Sequence, residues 1–207
     1  MPEEKRTELG SLGEFELINR LVEGFETVNE STVKSIGDDA AVIEYKEGQI
    51  VVSTDLLIEN IHFDLMYTPL KHLGYKAVVV NLSDIYAMNA IPEQITVSIG
   101  VSNRFSLESL DELYDGIKAA CKHYKVDLVG GDTSSSNKGL IISVTAIGRA
   151  LKEDIVYRNT AQLGDLICVT GDLGAAFIGI QILEREKALF LDNPGIKPEL
   201  ADNAYVV

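Results

Sequence analysis

From Glu93 to Ala150 the chain alternates two kinds of apolar pattern, and that alternation limits the folds open to it. "EQITVSIGV" reads as a strand. "SLESLDELYDGIKAACKHY" instead repeats Leu107, Leu110, Tyr114, Ile117, Cys121 and Tyr124 at helical intervals. A strand ending in "VGG" follows, then a polar loop "DTSSSNKG" and the long strand "LIISVTAIGRA". Strands interleaved with helices predict an α/β or α+β sandwich of about 150 residues.

Upstream, Ser11 and Glu14 have capping-box spacing, and Phe15, Ile18, Val22 and Phe25 recur at helical intervals, predicting a helix over 11–28. "AAVIEY" and "IVVSTDLLI" read as strands joined by a tight turn through "KEG". The stretch from Pro69 to Ala90 contains the strand-like run "AVVV", but its length and opening proline favour a helix. On that helix Asn81 and Asp84 share a face. A composition shift near "RALKEDIVYRN" divides residues 1–150 from residues 151–207. In the second part, "DLICVTGDLGAAFIGIQILERE" reads as strand, glycine turn and helix, "LDNPGIKPEL" as a linker, and "ADNAYVV" as the opening of another helix.

A formal net charge of −14 disfavours nucleic acid and anionic membranes as partners. It leaves phosphorylated substrates open, because bound divalent cations invert the sign of a carboxylate-rich pocket. Two cysteines, Cys121 and Cys168, without a CxxC, argue against a disulfide scaffold or structural zinc and fit a reducing, cytoplasmic setting. No run approaches the roughly 20 apolar residues that span a bilayer.

Five turns place a small or hydroxyl residue before a carboxylate: "GDD" at 37–39, "STD" at 53–55, "LSD" at 82–84, "GGD" at 130–132 and "TGD" at 170–172. Most follow an apolar segment, so neighbouring elements would gather several Asp residues at one end of a sheet. Convergent carboxylate and hydroxyl oxygens suit Mg²⁺, which takes a few carboxylates and completes its shell with water and phosphate. The glycines at 130 and 131 let backbone N–H groups approach an anion. These are the parts of a phosphoryl-transfer site. Asp after Gly, Ser or Thr is equally turn and N-cap chemistry, so composition alone leaves both readings standing. His62 reads on its own as an ordinary histidine, and His72 and His123 as helix-surface residues. The chain has no GxSxG, P-loop lysine, HExxH or EF-hand pattern.

"GEFELI", "IGDDAAV", "VVSTDLLIENIHF", "GYKAVVVNLSDIYAMNAIP", "VGGDTSSS" and "LGDLICVTGDLG" occur in the order found in the thiamine-monophosphate kinase family, which this chain resembles from residue 13 to about 180. That family shares a superfamily with aminoimidazole ribonucleotide synthetase and selenophosphate synthetase. The resemblance implies an α+β fold in which an N-terminal sheet packed with helices forms a barrel across a homodimer, followed by the start of a second α/β domain. It implies ATP-dependent phosphorylation of thiamine monophosphate to thiamine diphosphate by direct in-line transfer, with several Mg²⁺ ions. Carried over by motif, Asp39, Ser53, Thr54, Asp55, Asp84 and Asp132 match metal ligands. Asp38 then shapes its turn. Tyr114, Gly131, Asp132 and Arg158 match nucleotide contacts, and His62 a substrate contact.

The family's "DISDGL"-type and "GGED"-type motifs are absent, so the expectation is a chain lacking much of the C-terminal domain, with its turnover in question. The alternatives are another ATP-using member of the superfamily, or a non-catalytic module that binds Mg-nucleotide and dimerises. No reactive N-terminal Cys of the selenophosphate type is present.

Overall fold

The computed structural model describes Thr7, residues 14–36 and residues 42–195. Asp38 and Asp39, together with the "ADNAYVV" segment, lie outside the described residues. The chain divides into two units, residues 1–160 and 161–207. No described helix is long and apolar enough to cross a membrane.

The first unit is built on a four-stranded sheet of order β3-β6-β4-β5. Its strands are β3 (Gln49–Ile58), β4 (Ile91–Val101), β5 (Asp127–Ser135) and β6 (Ile141–Ala150). β6 pairs antiparallel with both β3 and β4, while β4 and β5 run parallel. A parallel pair needs a crossover, and α3 (Leu107–Tyr124) supplies it. α2 (Leu70–Ala87) packs on the sheet and α3 packs on α2.

β6 shows why the sheet has two unlike faces. Ile142, Val144 and Ala146 are fully buried, while Ile141, Ser143, Thr145 and Ile147 between them are half-buried on the other side. The buried face meets Leu73, Ala77, Val78, Leu82 and Ile85 of α2, all fully buried. Removing each such Leu or Ile side chain from water stabilises by about 1.5–3 kcal/mol. The "AVVV" run is therefore helical with apolar residues on both sides: Ala77 and Val78 face the core, Val79 and Val80 the helix flank.

α2 and α3 approach closely because each presents a glycine to the other. A Cβ on Gly74 would sit 2.0 Å from the Leu113 carbonyl oxygen, and one on Gly116 would sit 1.9 Å from that of Lys71. α3 begins at the N-cap Ser106, whose side chain accepts from the Ser109 N–H.

In the first unit three expectations need correction. α1 spans Glu14–Val22, ending at a turn where Gly24 takes φ 77°, rather than reaching Val28. "AAVIEY" and "IVVSTDLLI" are not a hairpin. β2 (Val42–Ile43) pairs with β1 (Thr32–Lys34), and Tyr45 Oη then donates to Gln94 at 2.5 Å. Buried Asp127 accepts from Val28 N, Asn29 N and Thr32 Oγ1, pinning this arm to β5. Third, "DTSS" is not loop: β5 continues through Ser135, so Asp132 lies within a strand.

In the second unit α4 (Ala175–Asp192) forms as expected, but residues 165–170 do not form the anticipated strand. A strand exists only through its ladder, and no described strand pairs with this segment; Leu166 and Ile167 are almost fully exposed.

Candidate functional site

Edge strand β3 carries "STD", and strand geometry separates its three residues. Asp55 lies opposite Val144, which is buried under α2, so Ser53 and Asp55 share the helix-covered face. Thr54 lies opposite Thr145 on the open face and receives a hydrogen bond from the Thr145 hydroxyl at 3.1 Å. Its own hydroxyl donates to the Val144 carbonyl at 3.0 Å.

α2 meets β3 through two polar stitches one helical turn apart. Ser53 Oγ donates to Asp84 Oδ2 at 2.6 Å. Asn81 Oδ1 accepts from the Asp55 backbone N–H at 2.8 Å, while its Nδ2 donates to the Ala77 carbonyl at 3.0 Å. Asn81 and Asp84 thus share the face expected of them. Asn81, fully buried, was missing from the candidate site; its only signal was three-residue spacing from Asp84.

The structure brings Ser53, Asp55 and Asp84 together beside β3, with both carboxylates exposed. It does not bring Asp132 to them within one chain. Asp132 pairs with Ser98, Ser98 with Ser143 and Ser143 with Leu56, so Asp132 shares the open face with Leu56. Three strand spacings, about 14 Å, separate the two edges. Among the described residues no group of three or more His, Cys, Asp or Glu side chains gathers around one point. Two carboxylates with neighbouring hydroxyls still fit Mg²⁺, which uses one or two protein carboxylates and fills its shell with water and phosphate.

Gly131 has a packing reason for lacking a side chain, since a Cβ there would lie 1.9 Å from the Val97 carbonyl oxygen. Tyr114 belongs to the core on α3, and burial pushes its hydroxyl up to about 12. Arg158 is exposed in the segment that Val156 N ties to the Met88 carbonyl, at the C-terminal end of α2, one turn beyond Asp84.

His62 sits in the turn after β3, exposed but fixed. Its Nδ1 accepts from the Ile58 N–H at 3.0 Å, which leaves the proton of the neutral ring on Nε2. Lys76 Nζ donates to the His62 carbonyl at 3.2 Å. Buried Glu59 anchors the turn by accepting from Arg104 and from Leu140 N. Glu59 and Phe63, both buried, show that "ENIHF" is half scaffold. A shallow groove lined by His72, Tyr75, Lys76, Val79 and Val80 runs along α2; its walls are largely apolar and none of the candidate carboxylates lines it.

Residues 37–150 match the family model described as AIR synthase related protein, N-terminal domain. The chain is 37% identical over 177 residues to the thiamine-monophosphate kinase of Bacillus subtilis (strain 168), covering 84% of this chain and 54% of that protein. Among solved structures it is similar to the thiamine-monophosphate kinase of Stenotrophomonas maltophilia K279a, with TM-score 0.69 and 32% identity over 82% of this chain and 51% of that one. A second structure, AaThiL complexed with AMPPCP and TMP, gives TM-score 0.62 and 31% identity over 94% of this chain and 58% of that one. The chain spans about half the length of the relatives it matches. With more than half its residues inside the family model, and with the sheet, paired helices and β3–α2 stitches on which the motifs sit, this chain belongs to the AIR synthase related proteins through their N-terminal domain.

Proposed function

We propose that this chain carries the metal- and nucleotide-handling half of an ATP-dependent kinase that phosphorylates thiamine monophosphate to thiamine diphosphate. The observation that carries the reading is the Ser53–Asp84 hydrogen bond beside Asp55, which joins the "STD" strand to the "NLSD" helix. The relatives named thiamine-monophosphate kinase, and the one complexed with AMPPCP and TMP, support the substrates.

The Thr54 side chain lies on the open face, bonded to Val144 and Thr145; Asp55 and Asp84, with Ser53 and Asp39, are the residues that would hold Mg²⁺. Bound there, the ion would supply charge neutralisation and orientation of phosphate oxygens. In the reaction an oxygen of the thiamine monophosphate phosphate attacks the γ-phosphorus in line, the bond to the β-phosphate oxygen breaks, and ADP leaves. Ser53 keeps the Asp84 carboxylate turned toward β3. His62 offers its Nε2–H to an acceptor on the substrate, and Arg158, Gly131 and Asp132 serve the nucleotide phosphates.

The exposed apolar side chains on the open face of edge strand β3 favour a homodimer. Closing two four-stranded sheets into one barrel sets edge β3 of one copy beside edge β5 of the other. Asp132 of the second copy then lines the barrel interior beside the open face of β3, the face of Thr54 and Leu56, across the strand from Ser53 and Asp55. The exposed Ile50, Val52 and Leu56 on the open face of β3 become barrel interior.

Calorimetric titration with Mg²⁺ and ATP, beside an assay for thiamine diphosphate, tests this. Asp84→Asn is expected to weaken Mg-dependent nucleotide binding at least about tenfold, about 1.4 kcal/mol, with an unchanged circular dichroism spectrum. Unchanged affinity removes Asp84 from the site. Binding without turnover marks the chain as a binding module.

A further inference from the structure

Every residue on the buried face of α2 is apolar or glycine except Asn81. A fully buried amide in such a row demands a reason, because each unpartnered polar atom there costs about 1–3 kcal/mol. Both ends of this one are used, and they are used directionally. The Nδ2 bond to Ala77 O fixes the amide so that its oxygen, not its nitrogen, meets the Asp55 N–H. Among the described residues β3 is an edge strand paired only with β6, and the Asp55 N–H points away from that partner.

We infer that Asn81 is a positioning residue: its amide locks the Asp55 backbone to α2 and thereby sets the spacing of the Asp55 and Asp84 carboxylates for a divalent cation. The inference rests on the reading of that pair as cation ligands. The second stitch cannot do this alone, since Ser53 and Asp84 are themselves candidate ligands whose oxygens are drawn into coordination. The Asn81 stitch lies behind the carboxylates and uses only a backbone donor, so it holds whether or not an ion is bound.

The test is Mg²⁺ affinity of the full chain by calorimetry without nucleotide, set beside urea stability and hydrogen exchange at the Asp55 amide. Asn81→Leu is compared with Val78→Ala, a buried position on the same face of α2 with no bond to β3. Asn81→Leu is expected to weaken Mg²⁺ binding tenfold or more and to speed exchange at Asp55. Val78→Ala is expected to lose stability while keeping Mg²⁺ affinity within about twofold. If Asn81→Leu does not fold, Asn81→Ser, too short to reach the Asp55 N–H, takes its place with the same expectation. Equal losses of affinity in the Asn81 and Val78 variants would show that Asn81 serves folding only, and overturn the inference. An Asp55→Asn variant with wild-type Mg²⁺ affinity would overturn the cation reading itself, and the inference with it.

Discussion

The two units of this chain use similar sequence patterns and reach opposite outcomes. α2 and α4 are both 18-residue helices rich in apolar side chains. α2 buries seven residues between the sheet and α3. α4 buries none, and Phe177, Ile178 and Ile180 stand half exposed or more. Helix formation is thus a local matter of spacing and propensity, whereas burial needs a second layer. The first unit has one in the β3-β6-β4-β5 sheet, and residues 161–195 form no strand to supply another.

The largest expected effect compares matched truncations. Ile85→Ala in α2 should cost about 2–5 kcal/mol in urea unfolding, because it opens a cavity in a packed core. Phe177→Ala in α4 should stay within about 0.5 kcal/mol. A comparable loss at Phe177 would break the contrast.

Glycines sharpen it. Gly116→Ala forces a methyl group against the Lys71 carbonyl and should destabilise by about 1–3 kcal/mol. Gly179 in α4 has no atom within 4 Å of its would-be Cβ, so Gly179→Ala should raise helix stability by about 0.5–1 kcal/mol. The same assay reads both.

The thiols should separate next. Burial pushes the Cys121 thiol up to about 12, with the charge of Asp127 adding to it, while Cys168 is exposed. A disulfide-exchange reagent should label Cys168 promptly and Cys121 only on unfolding. Cys121 and Tyr114 are both held neutral in the native state. Their contribution is complete below their ordinary ranges, near pH 9 and 10, and is lost as pH rises toward 12. Alkaline unfolding should therefore begin in the first unit.

The smallest effect is acidic. Glu108 in the first turn of α3 is lowered to about 2, chiefly by its hydrogen bond from Thr7. Its contribution is present above about pH 4.5 and lost as pH falls through 2. Glu108→Gln should flatten the acid limb of a Tm-versus-pH curve.

What could be read in advance follows the same division between local and distant. α2, α3 and α4 were legible because stripe, cap and proline signals are local, and β6 because "IISVTAI" is a long run rich in β-branched residues. Asp132 was misplaced in a loop because "DTSSSN" has turn composition, and only its register with Ser98 makes it strand. The β1–β2 pair escaped because two- and three-residue strands carry no period. At the site, the motif order singled out Ser53, Asp55 and Asp84. The face on which each sits, and the part played by Asn81, depend on a strand register that no single segment encodes.

That register also has a history. Thr54 bonds to Val144, 90 residues later in the chain, and among the described residues β3 has no strand partner but β6. At ribosomal rates of about 5–20 residues per second, β3 leaves the ribosome several seconds before the strand that will hold it. The strand bearing Ser53 and Asp55 is thus among the first made and among the last to be paired. A chaperone that grips extended apolar segments would find "IVVSTDLLI" waiting during that interval, until β6 completes the sheet.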